Sequence, residues 1–216
     1  MIRELALIDV LYLIAAMRWT LALTAIAFLG GAFFGLFIAL LRIAPFAPAR
    51  WLGAAYVNAV QGTPLLAWLF VFFFGLSIVG VTVSPWIAAA AAYSIYAGAF
   101  LGEIWRGCLQ AIPQTQWEAG ASLGLSFSAQ LRYIIVPQAF RLAIPPTVGF
   151  LVQLIKNTSL AAVVGFIELT REGQLTTATT FRPFTVYLIV AALYFALCFP
   201  LTQVSRRLER RLHVAR

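Results

Sequence analysis

Charged residues are spaced along this chain so that long uncharged windows stand between them, and those windows predict membrane-crossing helices, each needing about 20 apolar residues. The first window runs from Trp19 to Leu41. Between Trp51 and Gly102 lie 52 residues without a charge, too many for one crossing and enough for two, with Gly80 through Pro85 as the break. Spans are expected near 56–79 and 86–105. A fourth runs from about 142 to 165, with Pro145 and Pro146 near its start, where missing amide donors cost least. A fifth covers 183–205. The pattern predicts an all-α integral membrane protein with five transmembrane helices in a single transmembrane domain over 1–216. Its longest excursion from the membrane is the loop at about 107–141.

Composition excludes the soluble alternatives. The chain is 62% hydrophobic and 10% charged, with a mean hydropathy of +0.93, against roughly 45–50% apolar and about 25% charged in soluble domains. The net charge of +8 is read as membrane orientation rather than nucleic-acid binding, because the basic residues sit between or beyond apolar runs. With the C-terminus inside, the inner segments hold ten basic residues, Arg42, Arg50, Arg106, Arg132, Arg141, Arg206, Arg207, Arg210, Arg211 and Arg216. The outer ones hold four, Arg3, Arg18, Arg171 and Arg182. The N-terminus is therefore expected outside. Residues 2–17 are expected to lie on the outer surface as a short amphipathic piece, with Arg3, Glu4 and Asp9 toward water, and not to form a cleavable signal peptide. Arg206 to Arg211 follow a span and are expected to contact anionic lipid.

Candidate chemistry is sparse. Cys108 and Cys198 have no metal-type spacing, and His213, the only histidine, sits in the basic tail. No catalytic cluster and no phosphate-binding GxxxxGK[ST] segment is present, so no catalytic residue, metal site or ATP site is expected in this chain. In the 107–141 loop, Pro113 to Gly124 predicts a short helix with Thr115 as N-cap, Glu118 three residues on as its capping-box partner, and Gly124 ending it in the left-handed conformation.

The loop residues Glu118-Ala119-Gly120, then Gly124, then Ile134-Ile135-Val136-Pro137, resemble the EAA loop of ABC importer permease subunits, with Gly120 replacing the second alanine. Gln61-Gly62-Thr63-Pro64-Leu65-Leu66, Glu103-Ile104-Trp105-Arg106-Gly107, Pro137-Gln138-Ala139-Phe140-Arg141 and Lys156-Asn157-Thr158-Ser159-Leu160 resemble motifs of the polar amino acid uptake branch, in the same order. Thr115 stands where that branch usually has Gly, and Phe100 where it often has Tyr. The resemblance implies a type I importer permease fold with a cytoplasmic coupling helix, placed in the bacterial inner membrane. It implies a dimer of ATPase subunits binding ATP and Mg, a second permease copy or paralogue, and an external binding protein that delivers an amino acid. Glu118, Ala119, Gly120 and Gly124 carry over as coupling residues.

For the translocation path or gate the candidates are Gln61, Thr63 and Pro64, which break the second span, together with Glu103, Lys156, Asn157, Thr158 and Ser159. Lys156 lies roughly 22 Å beyond Arg141 along a helix, where an ionisable group does not face lipid cheaply. Either it serves a substrate carboxylate or outer gate, or it pairs with Glu103 or Glu168. Glu103 is expected to pair with Arg106 three residues on, and Glu168 to lie on the outer surface. A gradient-driven secondary transporter or channel is the alternative reading, disfavoured by the lack of visible inverted repeats, and a membrane enzyme the third.

Overall fold

A computed structural model describes residues 4–213, and within them every regular element is helical. Helix α1 is Leu7–Ile43, α2 Ala47–Gln61, α3 Leu65–Ile78, α4 Pro85–Gln110 and α5 Gln114–Ser122. Helix α6 is Phe127–Val164, α7 Leu169–Thr180 and α8 Pro183–His213. Four helices, α1, α4, α6 and α8, are long and apolar enough to cross a membrane. A fifth crossing is made if α2 and α3, bent by 95° at 62–64, count together. Arg3 and Arg216, both used in the charge count, lie outside the described residues.

Two helices differ from expectation. The 37 residues of α1 reach about 55 Å at 1.5 Å each, so no separate surface piece precedes the first span. The first glycine of this helix is Gly30 and it contains no proline, so nothing interrupts the helix at Trp19. Asp9 is buried rather than turned to water and accepts a hydrogen bond from the Ala6 amide at 2.9 Å, which occupies one of the donors a helix start leaves free. In α6, Pro145 and Pro146 fall inside the helix and not at its start. The carbonyls of Arg141 and Leu142 thereby lose the amide donors four residues on.

Helix α4 is the centre of the bundle: it is buried around its circumference, and small residues, Ala88, Ala89, Ala92 and Ala97 among them, let neighbours approach it. Against it lies α1, and the two helices carry matching spacings, Gly31-x3-Gly35 and Gly98-x3-Gly102. The glycines are needed for space. A Cβ on Gly98 would lie 2.9 Å from Phe34 Cβ and one on Gly102 3.0 Å from Ile38 Cβ, while one on Gly31 would overlap Ala97. Small residues at this spacing let backbones approach closely where lipid supplies no hydrophobic drive.

A second fastening is polar. Glu168, fully buried, caps α7 by accepting from the Arg171 amide at 2.9 Å. It also accepts from the Tyr194 hydroxyl of α8 at 2.7 Å and from Thr20 of α1 at 3.4 Å, and Thr20 in turn accepts from the Leu169 amide at 3.2 Å. One carboxyl therefore ties three helices, and the expected surface position of Glu168 is overturned. Burial pushes this carboxyl above the usual range, while the hydrogen bonds from Tyr194, the Thr170 and Arg171 amides and Thr20 pull it down.

Replacing Gly31 by Leu is expected to destabilise the bundle by about 3 kcal/mol or more, since overpacking a close-packed site costs about 1–3 kcal/mol even where side chains can shift, and here backbone must move. Thermal unfolding of the detergent-solubilised chain followed by size exclusion checks this. Glu168→Ala should cost about 2–3 kcal/mol by leaving buried donors unpaired, with Glu168→Gln, which retains an acceptor, closer to the parent.

Candidate functional site

Two regions gather the residues singled out in the sequence. The first is the α5 loop. Helix α5 begins at Gln114 with Pro113 in the N-cap position and no side-chain cap, so the Thr115–Glu118 capping box is not formed. The helix starts two residues early, from Pro113 with φ −54° and ψ 141°, and leaves Thr115 inside the first turn. The other end matches expectation. Gly124 has φ +72°, its amide donates to Ala121 O at 2.9 Å, and the Leu125 amide donates to Gly120 O at 3.1 Å. These are the two bonds of a Schellman stop.

The loop is folded on its own small core. Trp117 stacks on Phe127 with ring centres 5.7 Å apart and packs with Leu109, Ile112, Ile135 and Ala139. Gly120 is buried, and a Cβ there would lie 2.9 Å from Gln130 Cγ. Gln130, itself buried, donates to Leu125 O at 2.8 Å. Trp117 and Gly120 thus face inward, three residues apart, while Thr115, Glu118, Ala119 and Ser122 are exposed. Of the four candidate coupling residues, Glu118 and Ala119 are exposed, whereas Gly120 and Gly124 shape the loop. Trp117 was not singled out beforehand; an aromatic alone in an otherwise polar helix was its signal.

The second region is where the chain breaks at 62–64. Gln61 donates from Nε2 to the Ala99 carbonyl of α4 at 3.4 Å, and Thr63 donates to Ala59 O at 2.8 Å. Gln61 and Pro64 are exposed and Thr63 half-buried, while Leu65 and Leu69 anchor α3 in the core. Beside α4 on another side, the Asn157 carbonyl accepts from the Tyr93 hydroxyl at 2.7 Å. There α6 tightens into a 3-10 stretch, Thr158–Val164. Thr158 is fully buried and donates to Ile155 O at 2.7 Å; Ser159 donates to Lys156 O at 2.8 Å. Phe100 stacks on Phe150 at 5.5 Å and meets Tyr96 at 4.5 Å, an aromatic floor that holds without a hydroxyl at position 100.

Glu103 and Lys156 are not brought together. Glu103 pairs with Arg106 and, at 3.6 Å, with Arg42 of α1, the first of these as expected. Asn157 meets α4 at Tyr93, ten residues before Glu103, which is about 15 Å along the helix. Glu168 is engaged by Tyr194 and Thr20. Neither ion pair considered for Lys156 forms, and its side chain is exposed on the same face of α6 as Pro146, Gly149 and Gln153.

A family model described as "Binding-protein-dependent transport system inner membrane component" matches residues 11–214. The chain is 38% identical over 195 residues to the L-cystine transport system permease protein TcyB of Bacillus subtilis (strain 168), covering 90% of this chain and 83% of that protein. It is 33% identical over 204 residues to the glutamine transport system permease protein GlnP of Escherichia coli (strain K12), with 94% and 93% covered. Among solved structures, an amino acid ABC transporter with histidines superposes with a TM-score of 0.88 at 32% identity, covering 93% of this chain and 94% of that one. An inward-facing MetNI methionine ABC transporter shares the fold at a TM-score of 0.74 and 21% identity, with 94% and 99% covered.

Gly120→Val is expected to unseat α5 from Gln130, giving new proteolytic cleavage between residues 113 and 130, whereas Ala119→Val, on the exposed face, should leave the loop as resistant as the parent. Limited proteolysis of the purified chain distinguishes the two.

Proposed function

The chain belongs to the family of inner membrane components of binding-protein-dependent transport systems, and we propose that it works as the permease subunit of an ATP-driven ABC importer for polar amino acids. The observation that carries this reading is the α5 loop: a short helix pinned from within by Trp117 and Gly120, stopped by Gly124, and showing Glu118 and Ala119 outward. Such a helix is a rigid knob for a cytoplasmic partner. In this reading a dimer of ATPase subunits, which bind the ATP and Mg, docks on that face and transmits closure through it. Relatives named as amino acid transport permeases support the substrate class. They also disfavour an autonomous gradient-driven transporter.

A second permease copy or paralogue belongs to the same reading. Gln153 and Lys156 are exposed on a helix of membrane-crossing length, and a lysine there is costly against hydrocarbon. This face is therefore covered by the second subunit or lines the aqueous path between the two. Gln61, Thr63 and Pro64 at the break, with Asn157 and Ser159 across α4, form the polar part of that path, because irregular backbone at membrane depth is tolerated where it lines a cavity. Thr158 contributes as packing, and Glu103 as the anchor of an arginine cluster rather than as a substrate contact. An external binding protein delivers substrate at the opposite end. The ten-to-four distribution of basic residues supports an outside N-terminus and a cytoplasmic C-terminus.

Reconstituted into vesicles with its ATPase and binding protein, the chain is expected to take up amino acid only with ATP present; uptake driven by an ion gradient without the ATPase overturns the proposal. Lys156→Met should lower uptake by about tenfold or more, the scale of one charge-assisted hydrogen bond, with binding of the ATPase unchanged in a pull-down.

A further inference from the structure

Two cavities meet at the arginine-rich end of the bundle. The larger is a groove of about 620 Å³ between α1, α4 and α6, walled by Phe28, Leu36, Leu109, Phe140 and Ala143. Its one hydroxyl, on Thr147, accepts a hydrogen bond from Trp105 Nε1 at 3.0 Å, so nothing polar in the groove asks for a partner. The side chains at its mouth, Phe33 and Phe140, are 75% and 65% exposed on helices of membrane-crossing length, which opens the groove toward lipid. Leu109 also lines the second cavity, about 410 Å³ in volume, whose other walls include Arg42, Arg50, Gln110, Gln114 and Trp117. The two spaces therefore lie side by side across Leu109, one apolar and one cationic.

The cationic cavity is under-neutralised. Arg42, Arg50 and Arg106 stand at this end, and Glu103 pairs with two of them, Arg106 and Arg42. Arg42 Nε, Arg106 Nε and the acceptor Glu103 Oε2 are buried without a hydrogen-bond partner, two unused donors against one unused acceptor, a shortfall a native structure usually relieves with a further acceptor. Arg50 uses Nη1 on the carbonyls of Ala44 and Pro45 at 3.0 and 2.8 Å, which holds its guanidinium at the rim of the cavity.

We infer that this composite site binds one anionic phospholipid, its phosphate against Arg42 and Arg50 and one acyl chain in the apolar groove. Charge complementarity selects this occupant. A second copy of the chain, at net charge +8, is a poor neutraliser of an arginine pocket, and a soluble anion has no use for the groove. Because Gln114 and Trp117 belong to α5, the headgroup lies against the loop that docks the partner in the reading above, although lipid binding itself does not depend on that reading.

The test is native mass spectrometry of the purified full-length chain, titrated with phosphatidylglycerol and with phosphatidylcholine of the same acyl chains. One phosphatidylglycerol is expected to be retained at collision energies that strip phosphatidylcholine. Arg50→Gln should weaken its retention by about fivefold, the attraction of one basic side chain for an anionic surface. Ala143→Phe, which fills the groove and leaves the arginines in place, should weaken both lipids. Equal retention of the two lipids in the parent chain overturns the proposal without recourse to any variant. So does displacement of phosphatidylglycerol by soluble glycerol phosphate at equal concentration, or a lipid-free dimer whose groove residues a photoreactive lipid fails to label.

Discussion

Everything in this bundle is arranged around the distance between α1 and α4. Two helices carrying Gly31-x3-Gly35 and Gly98-x3-Gly102 meet with almost no side chain between them, and that closeness decides where the other elements go. With one side of α4 given to α1, its remaining surface receives α2 through Tyr56, whose hydroxyl donates to Ile95 O at 2.7 Å. It receives α6 through the Tyr93–Asn157 bond at 2.7 Å. In lipid, where apolar burial gives little preference for helix over solvent, dispersion between closely approached backbones and a few internal hydrogen bonds remain to hold such a bundle.

The polar fastening at Glu168 complements this seam. Burying a carboxyl among α1, α7 and α8 is costly unless its lone pairs are met, and here an amide, a phenol and a threonine hydroxyl meet them. Glycine seam and carboxyl hub lie in different parts of α1, Thr20 before Gly31, so the long first helix is fixed at two points along its length. The α5 loop is fixed separately, by Trp117 on Phe127 and Gly120 on Gln130, and so keeps its shape apart from the main core.

Much of this was legible in the sequence, because the physics that makes spans also spaces charges. The crossing regions, the break at Gln61–Pro64, the Glu103–Arg106 pair and the Gly124 stop all follow from local rules. What was not legible depends on partners distant in the chain. Glu168 looks like any acid near a loop until Tyr194 and Thr20, 26 and 148 positions away, close around it. Thr115 fits a cap by its type and its spacing to Glu118, yet the helix starts two residues earlier, from Pro113. Lys156 offered two acids as partners, and both were taken by nearer groups. The two glycine pairs were visible as spacings, but only three-dimensional pairing shows that they face each other.

Helix α6 runs unbroken from the α5 loop to the polar region at Asn157, and midway it carries Pro145 and Pro146 in succession. Two adjacent rungs of its hydrogen-bond ladder, those to the carbonyls of Arg141 and Leu142, are missing, and beside them Ser205 Oγ of α8 donates to the carbonyl of Pro145 at 3.0 Å. A beam weakened at one cross-section and braced there from the side flexes at that section before it flexes anywhere else. In the reading proposed above, a push on the α5 loop would meet this weakened section before it reached Asn157.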